Sequence, residues 1–170
     1  MKRIIFFLAV TLLLVLNIGC QSNLSTTSSN TPPQNESSKS AEPKGKTVEK
    51  DTFFILVPEG WEVMDVDGGV QIYKMSGEVF ELHFRGYNMN DTEAKQQAES
   101  MAKQYNGTEP KQIDLLGKQF WTTSFTANGV PQVTNLCMQD GVMLSVKYGG
   151  PNYESNPDFK TILDSVKLKN

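Results

Sequence analysis

An α+β fold, an antiparallel β-sheet sandwiched by helices, is predicted by three features of this sequence. Period-two apolar runs recur between Phe53 and Tyr148, a helical apolar stripe interrupts them once after Asn90, and a second short helical stripe follows Pro157. All three lie beyond about residue 50. Residues 21–50 contain no Phe, Trp or Tyr, so the chain from Asp51 onward is the part able to bury a core.

Phe53, Ile55 and Val57 alternate with Phe54 and Leu56, which describes a strand covered on both faces. Pro58-Glu59-Gly60 breaks the run, and Trp61 to Val66 and Val70 to Tyr73 follow as strands around the turn residues Asp67-Gly68-Gly69. Val79 to Arg85 is the clearest amphipathic strand, with Phe80, Leu82 and Phe84 on one face and Glu81, His83 and Arg85 on the other. Asn90 and Glu93 have the spacing of a capping box, and Gly107 is a stop signal. Between them Ala94, Ala98, Met101, Ala102 and Tyr105 form one stripe of a helix, which assigns all five to the core.

Gln112 to Leu116, Lys118 to Thr126 and Gln132 to Tyr148 read as further strands. Asp140-Gly141 divides the last into a hairpin in which Cys137 faces Leu144 and Asn135 faces Val146. The other hairpin face carries Leu136, Met138 and Met143, which need a cover. The helix opened by Pro157, with Phe159, Ile162 and Leu163, is predicted to supply it.

The N-terminus carries an address. Met1-Lys2-Arg3 precedes thirteen largely aliphatic residues, Ile4 to Leu16, the outline of a signal peptide too short for a permanent span. Leu16-Asn17-Ile18-Gly19-Cys20 resembles the bacterial lipobox, with Asn17 where that pattern carries Leu. The resemblance implies a signal peptide over residues 1–19, lipid on Cys20 and a location on the extracytoplasmic face of the cell membrane. Residues 20–50 then form a lipidated, disordered Ser/Thr/Asn/Pro-rich tether, and residues 51–170 the globular domain.

From residue 51 onward ten Lys and Arg stand against sixteen Asp and Glu, a formal charge of −6, which argues against a nucleic-acid partner. With Cys20 modified, Cys137 has no disulfide partner, and packing alone holds a monomeric domain. Cys137, between apolar neighbours, reads as a small buried hydrophobe. His83 is the single histidine, which excludes multi-histidine metal sites; with Glu81 beside it, a solvated strand face is the expectation. Asp65-Val66-Asp67-Gly68-Gly69 lacks the ligands of a calcium loop and reads as a hairpin turn. Neither Gly68-Gly69 nor Gly149-Gly150 has phosphate-loop spacing, and no cofactor is predicted.

Val57-Pro58-Glu59-Gly60-Trp61 after a two-faced strand, one mid-domain helix and the closing Phe159 to Leu168 run resemble the PsbP-like superfamily over residues 51–170. The resemblance implies an antiparallel sheet between helices and a non-catalytic binding or assembly role. The first functional expectation is therefore a lipid-anchored interaction module for a protein or envelope component. A small-ligand receptor would need a large apolar pocket. A hydrolase would need a nucleophile and a carboxylate converging on His83.

Overall fold

The computed structural model describes residues 44–86 and 90–169. The signal peptide, Cys20 and the tether as far as residue 43 lie outside the described residues. Among the described residues ten strands and two helices follow in the order β1 (Gly45–Glu49), β2 (Phe53–Pro58), β3 (Glu62–Val66), β4 (Gly69–Tyr73), β5 (Val79–Gly86), α1 (Asp91–Tyr105), β6 (Lys111–Leu115), β7 (Lys118–Ala127), β8 (Val130–Gln139), β9 (Val142–Gly149), α2 (Pro157–Ser165) and β10 (Lys167–Leu168).

Seven strands form one antiparallel sheet in the order β3-β4-β5-β9-β8-β7-β6, and a smaller sheet has the order β1-β2-β10. Two-residue loops set four of the six registers of the larger sheet. Asp140 and Gly141 both have positive φ (52° and 76°), as a type I′ turn requires, and the pairs Cys137–Leu144, Asn135–Val146 and Met138–Met143 follow as expected. Leu116 leaves its expected strand because it too adopts positive φ, in the Leu116-Gly117 turn between β6 and β7.

β1 corrects the expected boundary of the domain. Gly45–Glu49 lies in the stretch assigned to the tether, yet it pairs with β2 over five residues, from Gly45–Pro58 to Glu49–Phe54. Its residues are mostly exposed and polar, so no amphipathic pattern announced it. It forms because β2 is an apolar strand whose edge groups need partners. The opposite edge of β2 is paired by β10 only at Phe53 and Phe54, and beyond that Leu56 N–H donates to Ser165 Oγ at 2.8 Å.

The main core lies between one face of the seven-stranded sheet and a layer made of β2 and α2. Phe53, Ile55 and Val57 meet Val70, Ile72, Phe80, Leu82, Leu144 and Val146 there, and Phe159 and Ile162 of α2 join them. The other face of β2 is half-buried, with Lys169 Nζ 4.4 Å from the Phe54 ring centre. The helix-sheet-helix expectation thus holds with a small sheet added to one helical layer.

The second cluster overturns the expected cover for the β8–β9 hairpin. Leu136 and Met143 pack against Ala94 and Ala98 of α1, with Trp121 and Met138 beside them, while α2 lies on the opposite face. The alanines decide this: a helix surface without bulk at those positions lies close over the sheet. The predicted capping box starts α1, Asn90 N–H donating to Glu93 Oε2 at 2.9 Å and Thr92 N–H to Asn90 Oδ1 at 3.1 Å. Tyr105, assigned to the core with that stripe, is instead 39% exposed at the helix end.

Candidate functional site

The side of the seven-stranded sheet that carries α1 also bears a row of polar residues. Gln71, Glu81, Lys147, Thr134 and Thr123 stand side by side across β4, β5, β9, β8 and β7, because directly paired residues of antiparallel strands share a face. Glu81 is the centre of this row. Its Oε1 accepts from Gln71 Nε2 at 2.8 Å, and its Oε2 lies 3.4 Å from His83 Nε2 and 3.7 Å from Lys147 Nζ. The hydrogen bond from His83 holds the Glu81 carboxyl below its ordinary range. Burial opposes this, and Lys147 and the Gln71 amide add to it.

The solvated face expected for Glu81 and His83 is therefore a largely enclosed polar network, with the His83 side chain only 11% exposed. The polar neighbours on β4 and β9 satisfy Glu81, so the carboxylate tolerates partial burial. His83 Nδ1 is buried and has no hydrogen-bond partner among the described residues. Ser145 stands opposite His83 in the β5–β9 register, but no hydrogen bond joins them. A hydrolytic base would need one ring nitrogen on the nucleophile and the other on the acid; here only the carboxylate contact is made.

Next to this row lies a depression of about 120 Å³ bounded by Gln71, Val79, Glu81, Gln132 and Lys147. Pockets that enclose organic ligands run to roughly 300–1,000 Å³, so this one holds no more than a small group.

The remaining sequence candidates fall elsewhere. Cys137 is 4% exposed in the main core, and burial pushes its thiol up to about 11 against the opposing charge of Lys118, so it is protonated at neutral pH. Asp65 pairs with Lys50 at 2.6 Å, and Asp67-Gly68 is the two-residue turn between β3 and β4. The following Gly69 has no room for a side chain, since a Cβ there would lie 1.8 Å from Leu82 O. Among the described residues no three His, Cys, Asp or Glu side chains gather as metal ligands. Cys20 lies outside the described residues.

Trp61 of the Pro-Glu-Gly-Trp sequence has a contact role that spacing alone could not reveal. Its Nε1 donates to Asp158 Oδ2 at 2.7 Å, Lys74 Nζ reaches the same oxygen at 2.8 Å, and its ring meets Phe159 edge-on at 5.3 Å. Burial raises the Asp158 carboxyl, but the hydrogen bonds from Lys74 and Trp61 and the charge of Lys74 outweigh it and leave the group below its ordinary range. The motif fastens the start of α2 over the core.

No protein-family model matches this sequence, and no curated protein matches it. Solved structures do. The chain resembles the solution structure of cyanobacterial PsbP (CyanoP) from Synechocystis sp. PCC 6803, with TM-score 0.50 and 12% identity, over 81% of this chain and 99% of that one. It resembles a crystal structure from Bacteroides thetaiotaomicron with TM-score 0.53 and 12% identity, over 75% of this chain and 49% of that one. LpqN of Mycobacterium tuberculosis, described as involved in cell envelope biogenesis, aligns with TM-score 0.48 and 15% identity, over 74% and 86% of the two chains. The likeness to cyanobacterial PsbP establishes the PsbP-like fold, and at such identity it establishes the fold alone.

Proposed function

We propose that this chain, on the premise of its PsbP-like fold, is a lipid-anchored extracytoplasmic module that binds a protein or envelope component without turning it over. The observation that carries the non-catalytic reading is the state of the chain's single histidine. One imidazole nitrogen faces Glu81 and the other is buried without a partner among the described residues, so no nucleophile is held on the ring. The apolar run Ile4 to Leu16 with Cys20 shortly after it supports the address, and acyl chains at about 0.8 kcal/mol per buried methylene would hold the protein on the bilayer. The residues after Cys20 act as a spacer that leaves the domain free to meet its partner.

Two measurements test this. In cells fed labelled palmitate, the wild-type chain should take up label and sediment with membranes. Cys20→Ala should lose the label and appear in the medium or as unprocessed precursor. Label retained by Cys20→Ala would refute the anchor. Crosslinking on intact membranes should recover a partner with the full chain and with His83→Ala, and not with a chain ending at residue 43. Loss of function in a folded His83→Ala protein would bring the hydrolase reading to the front.

A further inference from the structure

Tyr105 is the large aromatic side chain that helical periodicity assigned to the core and the fold places at the surface. Its ring stacks on Phe125 with centres 4.9 Å apart and planes 13° apart. The stacked Phe125, itself 8% exposed, covers one face of Tyr105, and the Tyr105 residue is still 39% exposed. An apolar ring face held flat and outward serves packing poorly, which raises the question of what it meets.

Tyr105 forms one side of a groove of about 560 Å³ between the end of α1, the paired strands β7 and β8, and the loop before α2. Tyr153 and Pro131 add apolar surface, and the polar lining is almost entirely uncharged. Glu154 is its single ionic residue, and the Tyr153 hydroxyl donates to Glu154 Oε1 at 3.1 Å. The Asn106, Thr126 and Gln132 side chains also line the groove, and among the described residues no hydrogen bond engages them.

The floor is pre-formed. Thr108 N–H donates to Ser124 O at 2.8 Å, Ser124 N–H returns to Thr108 Oγ1 at 2.9 Å, and Thr123 Oγ1 donates to Thr108 O at 2.7 Å. Gly107 permits this approach, since a Cβ there would lie 2.5 Å from Ser124 O. The end of α1 is thereby tied to β7, and Tyr105 is held in place without a ligand.

We propose that this groove binds a neutral oligosaccharide. A pyranose presents a flat face of C–H bonds to an aromatic ring and a rim of hydroxyls, each both donor and acceptor. Tyr105 supplies the ring face. Amide and hydroxyl side chains, which also donate and accept, supply the rim. The lone carboxylate and the lack of a lining cation disfavour anionic glycans and phosphorylated ligands. A proline-rich peptide also docks on aromatic surface, but it offers few hydroxyls to the three free polar side chains. The proposal goes beyond the module's address and holds whether or not Cys20 carries lipid.

The test uses the purified full chain in detergent, titrated with chitotriose and cellotriose by saturation-transfer NMR and calorimetry. Saturable binding of at least one of them is expected. Tyr105→Ala should weaken it about tenfold or more, and Tyr105→Phe, which keeps the ring face, should restore it. Gln132→Leu should weaken it through the lost hydrogen bonds, and Lys95→Ala, remote from the groove, should leave it unchanged. A thermal unfolding midpoint within the wild-type range for Tyr105→Ala separates a lost contact from a lost fold; if that variant unfolds, Gln132→Leu carries the test. Absence of binding to both sugars, binding indifferent to both groove substitutions, or Tyr105-dependent binding of a proline-rich peptide in place of sugar would each overturn the proposal.

Discussion

Leu136→Ala is the substitution that most directly tests which helix covers the β8–β9 hairpin. Leu136 is 1% exposed and packs with Ala94, Ala98 and Met143 beneath α1. Truncation removes three carbons, about 2.4 kcal/mol at ~0.8 kcal/mol each. The cavity left behind adds to this unless the neighbours close over it, and buried Leu→Ala changes run to about 2.7–5 kcal/mol. Here closure is restricted at one end, because Thr108 and Ser124 tie the C-terminal side of α1 to β7. Ala94 and Ala98 have no further side chain to swing into the space. A loss of about 3 kcal/mol is expected, which lowers the unfolding midpoint of a domain this size by about 10–15 °C. The assay is urea unfolding of a chain beginning at Lys44, followed by far-ultraviolet circular dichroism and by fluorescence of Trp121, which borders the cavity. The double variant Leu136→Ala with Ile162→Val should be additive within about 0.5 kcal/mol, because Ile162 of α2 belongs to the core on the opposite face. A loss below about 1 kcal/mol, or coupling between the two sites above that figure, would refute the assignment of α1 to this face.

Three further outcomes are expected. A chain beginning at Asp51 should be about 2 kcal/mol less stable than one beginning at Lys44 and more prone to aggregate, because Val48 loses its packing and β2 its paired edge; denaturation and light scattering of the two chains measure it. The carboxyl of Glu81 sits lower in the folded than in the unfolded chain, so its contribution is present above the unfolded value and lost as pH falls through the folded one. Stability measured from pH 6 downward should therefore fall less steeply in Glu81→Gln than in wild type. The Cys137 thiol is raised from an ordinary 9.0 to about 11, so folding loses stability as pH rises between those values, by about 2–3 kcal/mol in full. Cys137→Val should remove that part of the alkaline decline, and wild-type Cys137 should resist alkylation until the chain unfolds.

Several features were legible in the sequence because they are decided by neighbours along the chain. Asp140-Gly141 forces positive φ at two adjacent positions, and that turn alone sets every pair of the β8–β9 hairpin. Asn90 and Glu93 satisfy the first N–H groups of α1 within one turn, and the alternation from Val79 to Arg85 assigns the two faces of β5. The buried, protonated character of Cys137 follows from the same period-two logic.

Only the tertiary structure decided what depends on residues far apart. β5 pairs with β9 across an intervening helix and three strands, and no local signal selects that neighbour over others. α1 and α2 each carry an apolar stripe able to cover a sheet face. The choice between them rests on close approach at Ala94 and Ala98 and on the Trp61–Asp158 bond that draws α2 to the other side. β1 has almost no apolar content and becomes a strand because β2 has an edge to satisfy. The enclosure of His83 and the exposure of Tyr105 reverse what their spacing implied, since periodicity reports which side of an element a residue faces and not whether anything lies there. What lies there is set by burial summed over distant segments, and that sum exists only once the chain has folded.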